Sequence, residues 1–171
     1  MNVKIMEREI LNPLADTQID DVKLNPVPRS LSRISLFNNT KPGADTVLAT
    51  VRDNLGDYDF HDARKPAGAG ASPKQLEKAA DSELSILALG DCGSCTTWIV
   101  LDAIKLEKKG VPTVSICSDK FAPFARELAR SYGAENLKIV EIKHPIAGQA
   151  PEKVEARAMD TIPQIKKLVG V

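Results

Sequence analysis

Ser85-Ile86-Leu87-Ala88-Leu89-Gly90-Asp91-Cys92-Gly93-Ser94-Cys95-Thr96 is the stretch from which the fold can be read. Its first five residues form an unbroken apolar run, the pattern of a strand buried on both faces. Gly90 breaks the run. From Thr96 to Lys109 the period changes to that of an amphipathic helix, with Ile99, Val100, Ala103, Ile104 and Leu106 on one side. Gly110-Val111-Pro112 then closes the helix, with glycine at its C-terminal end and proline just beyond.

The same alternation continues outward. Toward the C-terminus, Thr113–Cys117 reads as a strand and Asp119–Tyr132 as a helix ended by Gly133. Leu137–Ile142 reads as a strand and Val154–Leu168 as a helix, in which Pro163 implies a kink or a break. Toward the N-terminus, Ile34–Phe37 precedes a helix over Ala44–Leu55, carried by Val47, Leu48, Val51 and Leu55. A strand over Asp57–His61 and an Ala/Gly/Pro loop over Arg64–Ala71 follow. Ser72-Pro73 is an N-cap with proline at the first helical position, opening a helix to about Ala80. Strand and helix thus alternate about five times. The expected fold is α/β: a doubly wound, mostly parallel five-stranded sheet, flavodoxin- or Rossmann-like, with helices on both faces and right-handed crossovers. The expected strand order is 2-1-3-4-5. Residues 1–30, which hold Pro13, Pro26 and Pro28, read as an N-terminal arm with at most one short strand. Residues 31–171 read as a single domain.

Composition narrows the function. Lys plus Arg equals Asp plus Glu at 23 each, so no net field recruits nucleic acid or an anionic membrane. The apolar runs fall well short of the ~18 residues of a membrane span, and Met1–Arg8 mixes charges without an apolar signal core. A cytoplasmic location is expected. Three Cys is an odd count for a secreted disulfide framework. Neither a P-loop nor a dinucleotide fingerprint is present, so no nucleotide or other cofactor is expected. The expected ligand is a small-molecule substrate. Association as a homo-oligomer or with a partner subunit is left open.

In open α/β sheets ligands bind beyond the carboxyl ends of the strands. All three Cys, and His144, fall at that edge. Cys92 stands just before a helix, where unpaired N–H groups and the helix dipole lower a thiol pKa. Gly90 and Gly93 permit a tight turn and close approach of a ligand. Gly93, Ser94 and Thr96 offer donors to a substrate or a developing oxyanion.

Four readings compete for Cys92 and Cys95. They are a nucleophilic Cys92 helped by Cys95, a C-x-x-C dithiol–disulfide pair, a zinc site completed by Cys117 and His144, and small residues at a crowded turn. The nucleophile leads, and no metal is expected. Asp91 and His144 are the candidate proton carriers, although His144 also reads as an ordinary turn histidine. Asn39, Thr40 and Lys41 are candidate substrate contacts. They are ordinary turn residues too, and Lys65 carries the same pair of readings. Cys117 lies at the substrate edge, yet taken alone it reads as a small buried hydrophobe. Trp98 and Phe121 read as core, and the charge run Lys105–Lys109 as a solvated helix face.

Leu36-Phe37-Asn38-Asn39-Thr40-Lys41-Pro42-Gly43-Ala44-Asp45, Gly90–Thr96, Gly110-Val111-Pro112-Thr113 and His144-Pro145 together resemble the UGSC family over about residues 33–150. That family is named for a Sec-Gly-Ser-Cys motif, and here Cys92 holds the first position. The resemblance implies a redox-active or nucleophilic chalcogen at Cys92. The family is itself distantly similar to the selenoprotein components of glycine, betaine and proline reductases, whose chalcogenolate attacks carbon and displaces a leaving group. The expected function is a thiol-dependent enzyme with Cys92 as nucleophile on a small polar substrate. The alternatives are a thiol–disulfide redox protein using Cys92 and Cys95, or a subunit that needs a partner chain.

Overall fold

The computed structural model describes residues 21–170. Five parallel strands form one sheet: β1 (Arg33–Asn38), β2 (Asp59–Arg64), β3 (Leu84–Gly90), β4 (Thr113–Ser118) and β5 (Ile139–Ile142). Their order is β2-β1-β3-β4-β5, as expected. The helices are α1 (Ala44–Leu55), α2 (Pro73–Ala80), α3 (Gly93–Lys108), α4 (Ala122–Ser131), α5 (Pro151–Met159) and α6 (Ile162–Val169). β3 and β4 are buried along their whole length, as central strands covered on both faces must be. One core layer joins α1, α5 and α6 to Ile34, Leu36, Ile86, Val114 and Ile116. The other joins α2, α3 and α4 to Phe37, Leu87 and Cys117. The chain therefore reverses its winding between β1 and β3, and a crevice opens there at the carboxyl edge.

Several boundaries differ from the sequence reading, each for a local reason. The strand expected at Asp57–His61 lies at Asp59–Arg64. It is an edge strand with only Ala63 buried, so its apolar pattern is faint. The helix expected over Val154–Leu168 is two helices. Pro163 sits in the first turn of α6, where its missing N–H costs nothing, and the chain breaks at Asp160-Thr161. α3 begins at Gly93 rather than Thr96, because the Cys92 side chain supplies the N-cap acceptor. The expected helix Asp119–Tyr132 shortens to α4.

Residues 21–32 hold no strand and run beneath the amino ends of the strands. Val22 N–H donates to Gly133 O, Val22 and Leu24 pack on the α2–α4 layer, and Val27 and Leu31 pack on the opposite layer. This strap explains one correction. Glu107, expected on a solvated face, is 2% exposed. It accepts hydrogen bonds from Asn25 N and Nδ2 and from Thr113 N and Oγ1, at 2.7 to 2.9 Å. The rest of the expected arm, residues 1–20, lies outside the described residues.

β3 carries one surplus residue. Ala88 pairs with Ile116 but Gly90 pairs with Cys117, leaving Leu89 as a bulge. The Asn39 side chain fills the gap. Its Nδ2 donates to Leu89 O at 2.9 Å and its Oδ1 accepts from Leu89 N at 2.8 Å.

Candidate active site

The turn after β3 brings together most of the residues singled out in the sequence. Cys92 is the N-cap of α3, and its Sγ accepts from Cys95 N–H at 3.4 Å. The Ser94 hydroxyl lies 3.7 Å from the same sulfur. Burial opposes ionisation of Cys92. The neighbouring Cys95 thiol, the Cys95 N–H and Ser94, with the charge of Lys41, outweigh it and lower the pKa. Cys95 behaves oppositely: burial first, and then its neighbour Cys92, push its thiol up to about 11. Its sulfur accepts from Asp91 N–H at 3.2 Å and donates to Cys92 O at 3.3 Å. One thiolate is thus favoured, at the more exposed of the two sulfurs.

Asp91 and His144 meet across β4. The His144 Nδ1–H donates to Asp91 Oδ1 at 2.7 Å, since an ionised carboxylate only accepts. Asp91 Oδ2 accepts from Ile146 N–H and Ala147 N–H, each at 2.9 Å, and the Ser118 hydroxyl lies beside the pair, 3.3 Å from His144 Nδ1. Burial raises the Asp91 pKa, but these donors outweigh it and the net direction is down. Asp91 therefore stays charged and fixes the imidazole with Nε2 free. Asp119 Oδ1 accepts from His144 N–H at 3.1 Å, anchoring the same loop from α4's side. The peptide bonds Ala88–Leu89 and His144–Pro145 are both cis.

Not every expected residue reaches the ligand edge. Asn39 is fully buried and committed to Leu89. Thr96 is likewise buried, its hydroxyl turned under Gly90. Cys117 is a correction to the substrate-edge reading. It points into the α3–α4 layer, has no exposure, and its thiol is pushed by burial to about 12. Thr40 and Lys41 remain accessible at the crevice, and Gly93 and Ser94 are exposed. Lys65 is sequestered: its Nζ lies 2.8 Å from Asp102 Oδ2 and donates to Ala69 O at 2.8 Å. Burial pulls its pKa down against the pull of Asp102. Phe121, expected in the core, is half-buried and lies against His144, ring centroids 5.7 Å apart at 58°.

The sequence puts Ser118, Asp119, Ile146 and Ala147 at strand ends but assigns them no role. Their position directly after β4 and β5 was the available signal. Among the described residues, no group of three or more His, Cys, Asp or Glu is arranged to hold a metal ion. A cavity of about 210 Å³ lies apart, between α1 and the β1–β2 edge. Ion pairs Arg52–Asp62 and Arg64–Asp45 line it, and it includes no residue of the Cys92 cluster. No helix of the described residues is long and apolar enough to cross a membrane.

Three comparisons with known proteins bear on these features. A flavodoxin of Streptococcus pneumoniae TIGR4 is 16% identical, with 82% of this chain and 98% of that one covered at a TM-score of 0.40. A short-chain flavodoxin associated with a PDU bacterial microcompartment is 7% identical, over 79% and 99% of the two chains, with a TM-score of 0.40. A short-chain dehydrogenase/reductase from Veillonella parvula, solved with NADP, is 12% identical over 67% and 69%, with a TM-score of 0.41. No curated protein matches the chain. The family model of the UGSC family matches residues 9–171, which takes in the strap, every strand and the Cys92 turn, and the chain therefore belongs to the UGSC family.

Proposed function

We propose that the protein is a thiol-dependent enzyme in which Cys92 is the covalent nucleophile on a small polar substrate. The observation that carries this reading is the asymmetric thiol pair: Cys92 caps α3 with its pKa lowered, while Cys95 holds its proton. The thiolate attacks an electrophilic carbon, a C–S bond forms, and the leaving group departs with the bonding pair. His144 Nε2, the ring atom not held by Asp91, takes the Cys92 thiol proton as the thiolate forms and gives it to the leaving group as it departs. Lys41 anchors an anionic group of the substrate at the crevice. A cytoplasmic location suits this chemistry, because a reducing compartment keeps the thiols free.

The test is the pH dependence of alkylation at each Cys in the native protein, read by mass spectrometry. Cys92 alone should react rapidly, with a midpoint well below the ~8.5 of a free thiol. Equal or slower reaction of Cys92 than of an unfolded control would remove the nucleophile. A second reading, a reversible Cys92–Cys95 disulfide, draws on the nearness of the two thiols, each of which shifts the other's pKa. It requires a measurable two-electron potential that vanishes in Cys95→Ser, whereas the nucleophile reading keeps alkylation of Cys92 in that variant.

A further inference from the structure

We propose that Phe121 and Phe124 form an apolar wall on the α4 side of the Cys92 shelf, so that the substrate is a small anionic electrophile carrying a flat apolar group. This rests on the nucleophile reading and deepens it by naming the substrate class. The sheet order places the β3 turn between the β1 and β4 turns. Neighbouring strands stand about 4.8 Å apart, so the three turns span roughly 10 Å, the length of a small molecule. The two flanks of Cys92 differ in chemistry. On the β1 side stand Thr40 and Lys41, and the charge of Lys41 reaches Cys92. On the β4 side the loop after Ser118 presents Phe121, half-buried against the His144 ring.

Phe124 lies in the first turn of α4, three residues on, and is 42% exposed. Among the described residues only Tyr132 and Met159 are large hydrophobics with comparable exposure. Neither lies at the carboxyl edge of the sheet: Tyr132 ends α4 and Met159 ends α5. An aromatic ring left open to water at the carboxyl edge, in the first turn of the helix that follows the strand next to β3, is a surface a substrate ring covers, in offset or edge-to-face geometry. A ligand spanning the shelf has its anion at Lys41, its electrophilic carbon at Cys92 Sγ and its apolar group against Phe121 and Phe124. The reaction needs nothing further: the C–S bond forms as the leaving group takes its electron pair.

The experiment compares two bromo acids, 2-bromopropanoate and 2-bromo-3-phenylpropanoate. Second-order rates of Cys92 alkylation are read by mass spectrometry, with glutathione as the free-thiol reference. Bromide leaves in both cases. Relative to the glutathione ratio, the wild-type protein should favour the phenyl probe by roughly 2- to 10-fold. Phe124→Ser, an exposed change that spares the core, should lose most of that preference. Phe121→Ala should lose it too, while Met159→Ser should keep it. Reaction of Cys92 with both probes in the glutathione ratio, unchanged in Phe124→Ser, would overturn the wall and leave the nucleophile standing. No reaction of Cys92 with either probe would overturn both.

Discussion

Cys92 and Cys95 are three residues apart and titrate in opposite directions. The difference is one of exposure and of who donates to whom: Cys92 receives hydrogen bonds at the mouth of the helix, and Cys95 is buried behind it. Cys95→Ala removes the thiol beside Cys92 and should raise the Cys92 alkylation midpoint toward that of a free thiol, whereas Cys95→Ser keeps a hydroxyl there and should shift it less. Asp91→Asn keeps the shape but weakens acceptance from Ile146 and Ala147 and loses the charge facing His144. It should cost about 2 kcal/mol, read as a lower melting temperature, together with slower turnover. At this scale the sequence indicated which residues gather at the turn better than where they point. Asp91, Cys92 and His144 were legible because they stand at strand ends. Asn39, Thr96 and Cys117 stand at the same edge, yet face inward. The side a strand-end residue takes depends on register, and the surplus residue at Leu89 has no marker in an all-apolar run.

The two glycines of the β3–α3 turn make opposite predictions. A Cβ on Gly90 would lie 2.6 Å from Cys117 Sγ and 2.9 Å from Thr96 Oγ1, so Gly90→Ala should destabilise by about 1–3 kcal/mol. Adding Cys117→Ala should recover part of that loss, as chemical denaturation would register. A Cβ on Gly93 meets nothing within 4 Å, and alanine there should stabilise α3 by about 0.5–1 kcal/mol. If turnover falls in Gly93→Ala while the melting temperature rises, a ligand approaches the backbone at that point. Unchanged turnover would remove Gly93 from the contact set. Elements with strong periodicity were legible almost whole: β3, α3 and β4 needed only boundary shifts. β2 was shifted because an edge strand has little to bury. The run Val154–Leu168 kept one helical pattern across two helices, because α5 and α6 pack on the same layer.

Across the whole molecule, the buried thiols and Asp91 set limits on pH. Cys95 and Cys117 have pKa values raised to about 11 and about 12 in the folded chain. Their contribution to stability is full below the ~8.5 of an unfolded thiol and is lost as pH rises through the folded values. Asp91 is shifted down, so its contribution is present above the ~3.9 of an unfolded carboxyl and disappears as pH falls through its folded value. Unfolding midpoints should therefore decline on both sides of neutrality, and Cys117→Ala should flatten the alkaline arm. The general architecture was legible from alternation alone. The burial of Glu107 was not, because only the strap of residues 21–32, joined to it across some 80 positions, takes that carboxylate out of water. The bulge at Leu89 has a consequence of its own. Side chains along a strand obey a parity, and one extra residue inverts it for everything downstream. Were Leu89 paired regularly, it would stand opposite Cys117 and move Gly90 to Ser118, turning Asp91 toward the opposite layer, away from His144. The dyad is thus a matter of odd and even count, decided two residues before it begins.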